Sequence, residues 1–421
     1  MIKQSIKQAL NMFRENRLVS LISVLGTALS IAMIMVIVLV FQINAASYYP
    51  EENRDRMLYI EGGTEVKAGT KSWSRGNMSV EAVRECFYCL KTPEAVSAWI
   101  DYSNPLSIPG KKMYKAYSIK YTDSFFWKIY SFRFIEGKPF TDADFHSAIS
   151  QAVVSEKVAK ILYGTSQVVG KTVIVDRMPY TICGVVKDVS RAADTAWSEV
   201  WVPYTTNKVF LNHSFMEGMN GVFNMCLLAK NAGDFEAIRQ EILKQTAAYN
   251  STKKNNTISF LENPITRFDK AIGSEGQNKI ELKDNLAETG GLLLFLLLVP
   301  ALNLMGVTQS AIQKRRSEMG VRKAFGAPYG ILIRQSLYEN SLITLLGGLV
   351  GLLLSFLLLP VCKDFLLGKS DTLLNGDMLF RPGVFALALL FSLLLNLLSA
   401  GIPALRIARQ QISTALKGDD K

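Results

Sequence analysis

Four apolar runs dominate the sequence, and each is long enough to cross a lipid bilayer. A membrane-spanning helix needs about 20 predominantly apolar residues. The first run has no charged residue, and the others carry ionisable residues only at their edges. Because backbone groups in lipid must form hydrogen bonds within their own segment, we predict four transmembrane helices, which excludes a purely soluble enzyme. The predicted helices are residues 18–43, 289–309, 337–362 and 382–405.

A cleaved signal peptide is the alternative interpretation of residues 18–43, because Ala45-Ala46-Ser47 is an acceptable cleavage site. The apolar run is, however, much longer than the ~7–15 apolar residues of a signal peptide. We therefore interpret this run as an uncleaved membrane anchor.

The basic residues are concentrated at the membrane edges. Residues 1–17, 310–336 and 406–421 together hold 14 basic and four acidic residues, which accounts for nearly all of the net charge of +11. The positive-inside rule places these three segments in the cytoplasm, and residues 44–288 and the short loop 363–381 outside it. A nucleic-acid partner is not expected, because the basic residues do not belong to a compact basic domain.

Residues 44–288 are predicted to form one large extracytoplasmic domain of mixed α and β structure. The pattern indicates two lobes, one made of residues 50–121 with 221–265 and the other of residues 122–220. The predicted fold class is therefore an α-helical membrane protein with four transmembrane helices and a two-lobed α+β domain between helices 1 and 2. With two histidines far apart and no cluster at metal-ligand spacing, no metal site is predicted.

Two motifs in the outer domain resemble functional sites. Residues 164–172 resemble a phosphate-binding loop, but five residues separate the glycines where four are needed, and a predicted helix (153–163) precedes the loop while a strand (171–175) follows it. We interpret the segment as a loop that leads into a strand. Cys86 and Cys89 have the spacing of a redox pair within a predicted helix. We favour structural thiols, and a redox or metal role stays open.

The predicted spans contain small residues in place of ionisable ones. Ion-driven carriers depend on ionisable groups within the membrane, so that class is disfavoured. Small residues allow helices to approach closely, and if these faces pair between chains the protein is a dimer. Lipid-facing positions tolerate small residues as well, and that alternative stays open. The candidate helix-packing residues are Gly347, Gly351, Ser23, Gly26, Thr27 and Ser30.

Two cytoplasmic segments have helical patterns. Apolar residues recur at helical spacing in residues 1–17, which predicts a basic amphipathic helix on the inner membrane surface and hence contact with lipids. In residues 310–336, Ser317 can cap a short helix that Gly326 and Pro328 end. A compact helix tied between two spans can transmit movement from a cytoplasmic partner, although an ordinary positively charged loop explains the same residues.

The sequence RRSEMGVRKAFGA (315–327) and the glycine-rich span after it resemble the signature region of MacB/FtsX-type ABC transporter permeases. Residues 153–189 and 200–206 resemble the extracytoplasmic domain of the same family. The order of elements also agrees: a short amphipathic N-terminus, one span, a large outer domain and three spans. The resemblance covers essentially the whole chain.

The resemblance implies a permease subunit of the bacterial inner membrane that is not itself an enzyme. Two permease chains, identical or related, would bind two cytoplasmic ATPase subunits. These would supply ATP and Mg²⁺, and no cofactor would bind this chain directly. Movement would pass to the outer domains and export a peptide, drug or lipophilic substrate. The residues expected to contact the ATPase are Glu318, Met319, Gly320, Arg322, Lys323 and Phe325.

The sequence departs from MacB in one respect that leaves alternatives open. MacB carries its ATPase in the same chain, whereas no phosphate-binding loop is recognised here, so we expect a separate ATPase. That arrangement resembles FtsX, a non-transporting regulator of cell-wall enzymes, and the lipoprotein-releasing permeases. Both remain alternatives to export, and a periplasmic adaptor and an outer-membrane channel remain open as partners.

Overall fold

The computed structural model describes residues 17–67, 73–110, 115–212, 220–253, 256–260, 263–271 and 345–358, with scattered residues at 283–295, 341 and 383–394. The chain divides into two compact units. The helical unit comprises Met1–Ile43, Gly290–Ser370 and Leu374–Lys421, and the sheet unit comprises Asn44–Thr289 and Asp371–Leu373.

Nine α-helices have defined bounds in the described part of the chain, and the scattered residues at 283–295, 341 and 383–394 are also helical. The nine helices are α1 (Arg17–Ala45), α2 (Val80–Ala82), α3 (Phe126–Ile129), α4 (Asp142–His146), α5 (Glu156–Tyr163), α6 (Lys208–Asn212), α7 (Phe235–Thr252), α8 (Arg267–Ala271) and α9 (Leu345–Leu358). A π-helical turn, Val83–Phe87, continues α2, and 3₁₀ turns occupy Arg54–Arg56, Tyr204–Thr206 and Ala232–Asp234.

The helix α1 contains the whole of the first predicted span. Among the described residues it is the one helix long and apolar enough to cross a membrane, over Val24–Ala45. The 29 residues of α1 extend about 43 Å, which exceeds the ~30 Å hydrocarbon core. The helix α9 lies within the predicted span 337–362. Most of the other two predicted spans lies outside the described residues, so the count of four helices stays a prediction.

The described residues of the sheet unit form 14 strands in two sheets. The strands are β1 (Met57–Ile60), β2 (Gly63–Lys67), β3 (Trp73–Met78), β4 (Ala95–Ser107), β5 (Ala116–Thr122), β6 (Phe134–Gly137), β7 (Gln151–Ser155), β8 (Thr172–Val175), β9 (Met178–Val186), β10 (Val200–Pro203), β11 (Asn220–Gly221), β12 (Asn224–Leu228), β13 (Asn256–Ser259) and β14 (Ile265–Thr266). The larger sheet has the order β14-β1-β12-β4-β5-β10-β7-β9-β6, and β8 pairs with β4 and β9. The smaller sheet has the order β11-β3-β2-β13.

The larger sheet runs through both predicted lobes. The boundary predicted near residue 121 falls where β5 pairs in parallel with β10, with Tyr121 opposite Val202. The two parts of the domain therefore share one mixed sheet, in which β7 and β9 form the second parallel pair. A parallel partner from the other part protects the edge that β5 would otherwise expose.

Both faces of the larger sheet are buried. All four residues of β1 are buried, and alternate residues of a strand point to opposite faces. Leu58 and Ile60 face the main apolar core, which also contains Ile238 and Ile242 of α7. Residues on the second face include Tyr59, Trp99, Lys120, Trp201 and Cys226, all buried. The indole of Trp201 donates a hydrogen bond to the carbonyl of Ala196 (3.2 Å), so the loop that contains Ala196 covers this second face.

The segment that resembles a phosphate-binding loop is a loop between α5 and β8, as predicted. The helix α5 ends at Gly164, whose φ of 75° is in the left-handed region, and Gly170 has a φ of 83°. The predicted helix 153–163 begins too early, because residues 151–155 form the buried strand β7. The hydroxyl of Ser155 then accepts a hydrogen bond from the amide of Val158 (3.3 Å) and caps α5.

Candidate functional site

The segment with which the sheet unit begins lies against a segment near its C-terminal end. The incoming segment, 44–56, begins within the last turn of α1, and the outgoing segment, 263–271, contains α8. Charged side chains from both segments meet the loop 190–198 in a cluster with a buried centre and a partly exposed edge, which we call the root network. Its members are Glu51, Arg54, Asp194, Arg267 and Lys270.

The Glu51–Arg54 ion pair is the centre of the root network. The Nε of Arg54 donates to the Oε2 of Glu51 (2.6 Å), and both side chains are completely buried. The Oε1 of Glu51 accepts from the hydroxyl of Thr195 (2.7 Å) and from the backbone amides of Thr195 (3.2 Å) and Ala196 (3.0 Å). Because these contacts come from loop 190–198, Glu51 holds that loop against the incoming segment.

The guanidinium group of Arg54 also donates hydrogen bonds to acceptors other than Glu51. It donates to the carbonyl of Ala46 (2.7 Å), the hydroxyl of Tyr48 (2.8 Å) and the carbonyl of Ala192 (3.2 Å). It also lies over the ring of Tyr48, 4.0 Å from the ring centroid. A buried charge is tolerated when it is paired and its donors are satisfied, and Arg54 meets both conditions.

Arg267 connects the outgoing segment to the end of α1. Its Nε donates to the carbonyl of Asn44 (2.6 Å), and its Nη1 donates to the Oδ1 of Asp194 (2.9 Å). Its side chain is 6% exposed. One turn further on, Lys270 forms ion pairs with Glu61 and with Asp194, the latter at 3.4 Å. The outgoing segment is thereby tied both to α1 and to loop 190–198.

In the root network, burial and the neighbouring charges shift the pKa values of the ionisable groups in opposite directions. Burial raises the pKa of Glu51, but the guanidinium groups of Arg54 and Arg267 outweigh it, so the pKa lies below its usual value. Burial lowers the pKa of Arg267, but the carboxylates of Asp194 and Glu51 outweigh it. The Glu51 carboxylate and the Arg267 guanidinium are therefore both ionised at neutral pH, and each charge depends on its neighbours.

A cavity of about 170 Å³ adjoins the root network. Its lining includes Lys270 and Asp194 of the network together with Tyr59, Trp99 and Asp101. Asp194 and Lys270 are 28% and 21% exposed, so one edge of the network is accessible to water while the Glu51–Arg54 centre is not.

The two cysteines that have the spacing of a redox pair, Cys86 and Cys89, are both free thiols. Burial raises the pKa of Cys86 to about 12, and Cys89 is exposed. A thiol with so high a pKa is a poor nucleophile near neutral pH, which favours the structural interpretation. In the part of the chain that the structure describes, no group of three or more histidine, cysteine, aspartate or glutamate side chains could hold a metal ion.

The predicted site residues fall partly outside the described structure. The six residues predicted to contact an ATPase, Glu318 to Phe325, lie outside the described residues, and so do the side chains of Ser23 and Thr27. Of the other packing candidates, Gly26 is half-buried, and Ser30, Gly347 and Gly351 are buried.

Gly351 packs against α1 within the same chain. A Cβ atom at this position would lie 2.6 Å from the carbonyl oxygen of Ala28 and 3.1 Å from the Cβ of Ile31. Only a residue without a side chain allows so close an approach of two backbones. The pairing of small-residue faces between two chains stays a prediction.

Replacement of Gly351 by alanine is expected to destabilise the packing of α9 on α1 by about 1–2 kcal/mol, because the new methyl group meets backbone that cannot rotate away. Gly348→Ala is the matched control. Its Cβ would lie 2.7 Å from the Cδ1 of Leu389, a flexible side-chain end, and both variants gain the same helix propensity. Thermal unfolding of the full-length chain in detergent should give a lower midpoint for Gly351→Ala. Equal midpoints would show that the contact does not constrain the helices.

Comparison with known proteins defines the class of the chain. Residues 20–245 match the family model of the MacB-like periplasmic core domain, and residues 290–412 match that of the FtsX-like permease C-terminal domain. The first match alone covers more than half of the chain. The chain therefore belongs to the MacB/FtsX-type family of ABC transporter permeases, as its resemblance to that family predicted. Membership also implies a location in the inner membrane and a large extracytoplasmic α+β domain.

The individual relatives have low sequence identity to this chain. The chain is 26% identical over 227 residues to the uncharacterized ABC transporter permease YknZ of Bacillus subtilis, which covers 54% of this chain and 53% of YknZ. It is 24% identical over 297 residues to the macrolide export ATP-binding/permease protein MacB of Pasteurella multocida, covering 70% of this chain and 42% of that protein. The chain thus spans about half the length, or less, of these relatives.

Solved structures with similarity include two extracytoplasmic regions. The extracellular domain of YknZ from Gram-positive bacteria has a TM-score of 0.33 and 20% identity, over 43% of this chain and 88% of that one. The periplasmic region of MacB from Actinobacillus actinomycetemcomitans has a TM-score of 0.34 and 17% identity, over 47% of this chain and 88% of that one.

Proposed function

We propose that this chain is the membrane subunit of a MacB-type ABC transporter that converts ATP hydrolysis in the cytoplasm into movement of its outer domain. The observation that carries the proposal is the order of the two family matches, with a periplasmic core domain at 20–245 and a permease domain at 290–412. An outer domain inserted after the first span is tied to the permease helices at both ends. Movement of those helices therefore displaces it.

The ATPase is proposed to be a separate cytoplasmic protein that binds residues 310–336. The Pasteurella relative is named as an ATP-binding/permease protein, and YknZ is named as a permease. In this chain the loop resembling a phosphate-binding loop lies between α5 and β8, in the order opposite to that of a phosphate site. ATP and Mg²⁺ would bind the partner, and this chain would contribute Glu318, Arg322 and Lys323 to the contact.

Charge reversal in the basic loop tests this contact. Arg322→Glu with Lys323→Glu is expected to lower the recovery of the ATPase with the full-length permease about 10-fold or more, because reversing two charges at the proposed contact removes its electrostatic complementarity. The matched control reverses Arg406 and Arg409, which lie in another segment predicted to be cytoplasmic. Recovery is measured by co-purification with ATPases from the same genome. Equal recovery from both variants would contradict the coupling role.

The proposed substrate is a peptide, drug or lipophilic compound exported by a pair of permease chains, with a periplasmic adaptor and an outer-membrane channel as further partners. Two different results would replace this proposal. Capture of a cell-wall hydrolase by residues 44–288 would favour an FtsX-like regulator. Capture of acylated proteins would favour lipoprotein release.

A further inference from the structure

We infer that the cavity beside the root network is a binding site for a small organic ammonium ion. All of the residues that line this cavity belong to the sheet unit. The inference therefore concerns that unit alone, and it does not depend on the proposed function of the whole chain.

Neighbouring strands of the larger sheet supply part of the cavity lining from one face. Trp99 and Asp101 are two residues apart on β4, so their side chains point to the same face of the sheet. Asn224 of β12 lies directly opposite Trp99, and Tyr59 of β1 lies opposite Cys226, two residues after Asn224. These side chains therefore share the second face of the sheet. Loop 190–198 and α8 also contribute to the lining.

The carboxylate of Asp101 has a fixed orientation and room for a further donor. Its Oδ1 accepts from the Nζ of Lys120, and its Oδ2 accepts from the indole of Trp99 (3.0 Å). The Lys120 side chain is completely buried, whereas that of Asp101 is 48% exposed. An ionised carboxylate has about four acceptor positions, so about two of them stay open to a ligand. A buried lysine, which is costly without a partner, thus orients a carboxylate in the cavity lining.

The cavity already holds one ammonium group, which belongs to the chain itself. The Nζ of Lys270 forms ion pairs with Glu61 and with Asp194 (3.4 Å), and it lies 5.4 Å from the centroid of the Tyr59 ring. Burial lowers the pKa of Lys270, but the two carboxylates outweigh it, so the pKa lies above its usual value. A carboxylate beside an aromatic ring is thus a combination that holds an ammonium group here, and Asp101 repeats it beside the indole.

The charges at the cavity favour a cation over an anion. The lining includes three carboxylates and one ammonium group. Lys120 and Arg267 offset part of this negative charge, but they are almost completely buried and do not line the cavity. An anionic ligand at Lys270 would face the two carboxylates that already bind this lysine. An ammonium ion beside Asp101 instead meets an opposite charge.

The volume limits the ligand to a small one. An engineered protein cavity of ~150 Å³ binds benzene. The cavity of about 170 Å³ therefore admits a molecule of similar size. The butylammonium ion has this size and charge, and its alkyl chain can pack on the aromatic rings of the lining. Butanol and butyrate have nearly the same shape without the positive charge, so they are the matched control ligands.

The experiment follows fluorine NMR signals of the full-length chain in detergent, labelled with fluorotryptophan. Trp99 lines the cavity, whereas Trp73 does not and is 67% exposed. The replacements Trp99→Phe and Trp73→Phe assign the two signals. Butylammonium chloride, added at constant ionic strength, should shift the Trp99 signal with half-saturation at about 1–10 mM, as expected for so small a ligand. The Trp73 signal should not move, and butanol and butyrate should give no saturable shift.

Two variants test whether the carboxylate binds the ligand. Asp101→Asn should raise the half-saturating concentration about 10-fold or more, because the charge-assisted hydrogen bond is lost. The control is Glu94→Gln. Glu94 is 35% exposed, forms an ion pair with Arg56 (3.3 Å) and does not line the cavity. This variant should bind butylammonium like the parent chain.

The contrary results are equally defined. A Trp99 signal that does not move, or that moves equally with butanol, would show that the cavity holds water only and would overturn the site. Equal half-saturation in Asp101→Asn and the parent chain would do the same. If Asp101→Asn fails to fold because Lys120 loses its counter-charge, Glu61→Gln replaces it, since Lys270 keeps Asp194 as a partner. An increase of about 3-fold or more is then expected, and its absence counts against the site.

Discussion

Replacement of Glu51 by alanine is expected to lower the free energy of unfolding of the outer domain by about 3–5 kcal/mol. The change removes one partner of a buried ion pair and leaves the guanidinium of Arg54 without its counter-charge. It also leaves the backbone amides of Thr195 and Ala196 without their acceptor. A buried charge without a partner and two buried amides without an acceptor lower the free energy of unfolding more than the loss of the ion pair alone would.

The neighbouring residue supplies the control for this prediction. Glu52 is 47% exposed, and its contact with Arg133 is at 3.6 Å. Glu52→Ala is therefore expected to change stability by less than about 0.5 kcal/mol. Denaturant unfolding of the full-length chain in detergent, followed by tryptophan fluorescence, measures both variants, because all five tryptophans lie between residues 73 and 201. Similar midpoints for the two variants would mean that the ion pair contributes little.

The long apolar helix α1 and the family could be predicted from the sequence because their signals are local. The run 18–43 has no charge, and one segment of the chain contains the whole pattern of α1. The motif at 315–327 is likewise contiguous. Predicting such features does not require knowing which distant residues are in contact.

The root network could not be predicted in this way. Glu51 and Thr195 are 144 positions apart, and Arg267 and Asn44 are 223 positions apart. In the sequence, Glu51 and Arg54 look like ordinary surface charges that follow a membrane span. Burial depends on the loop 190–198 closing over them, which no local pattern indicates. The one available signal was the i, i+3 spacing of opposite charges within a few residues of the end of α1.

The strand β7 is a second feature that local sequence patterns could not predict. Residues 153–155 continue into α5, and a short apolar run fits a buried strand and a helix equally well. Parallel pairing with β9, whose residues 181–186 lie opposite β7, decides between them. The loop after α5 was predictable because the order of helix, loop and strand follows from consecutive residues.

Asp123 is a second buried carboxylate that the sequence did not reveal. It is 1% exposed and accepts four hydrogen bonds. Its Oδ1 accepts from the hydroxyl of Ser97 (2.7 Å) and the amide of Phe126 (3.0 Å). Its Oδ2 accepts from the hydroxyl of Tyr88 (2.6 Å) and the amide of Ala98 (2.9 Å). Each carboxylate oxygen thus accepts one hydrogen bond from a hydroxyl group, which can rotate, and one from a backbone amide, which cannot.

Asp123→Asn is expected to destabilise the outer domain by about 2–4 kcal/mol, although the two side chains have nearly the same shape. The amide nitrogen of asparagine must occupy one of the two oxygen positions. It then faces the backbone amide of either Ala98 or Phe126, and two donors cannot satisfy each other. A protonated aspartate avoids this conflict, because its hydroxyl can donate to Tyr88 and still accept from Ala98.

The same site predicts a pH dependence with a definite sign. Burial raises the pKa of Asp123 to about 6, and the hydrogen bonds to Tyr88, Ala98 and Ser97 limit the rise. Because the folded chain binds this proton more tightly than the unfolded chain, Asp123 adds stability at low pH, and this contribution is lost as the pH rises through about 6. The asparagine of the Asp123→Asn variant does not titrate, so the difference in unfolding free energy between the parent chain and this variant should be larger at about pH 5 than at about pH 7.5, by about 1 kcal/mol. Denaturant unfolding at both pH values measures it, and a difference that is constant or larger at the higher pH would show that Asp123 is ionised in the folded domain throughout this range.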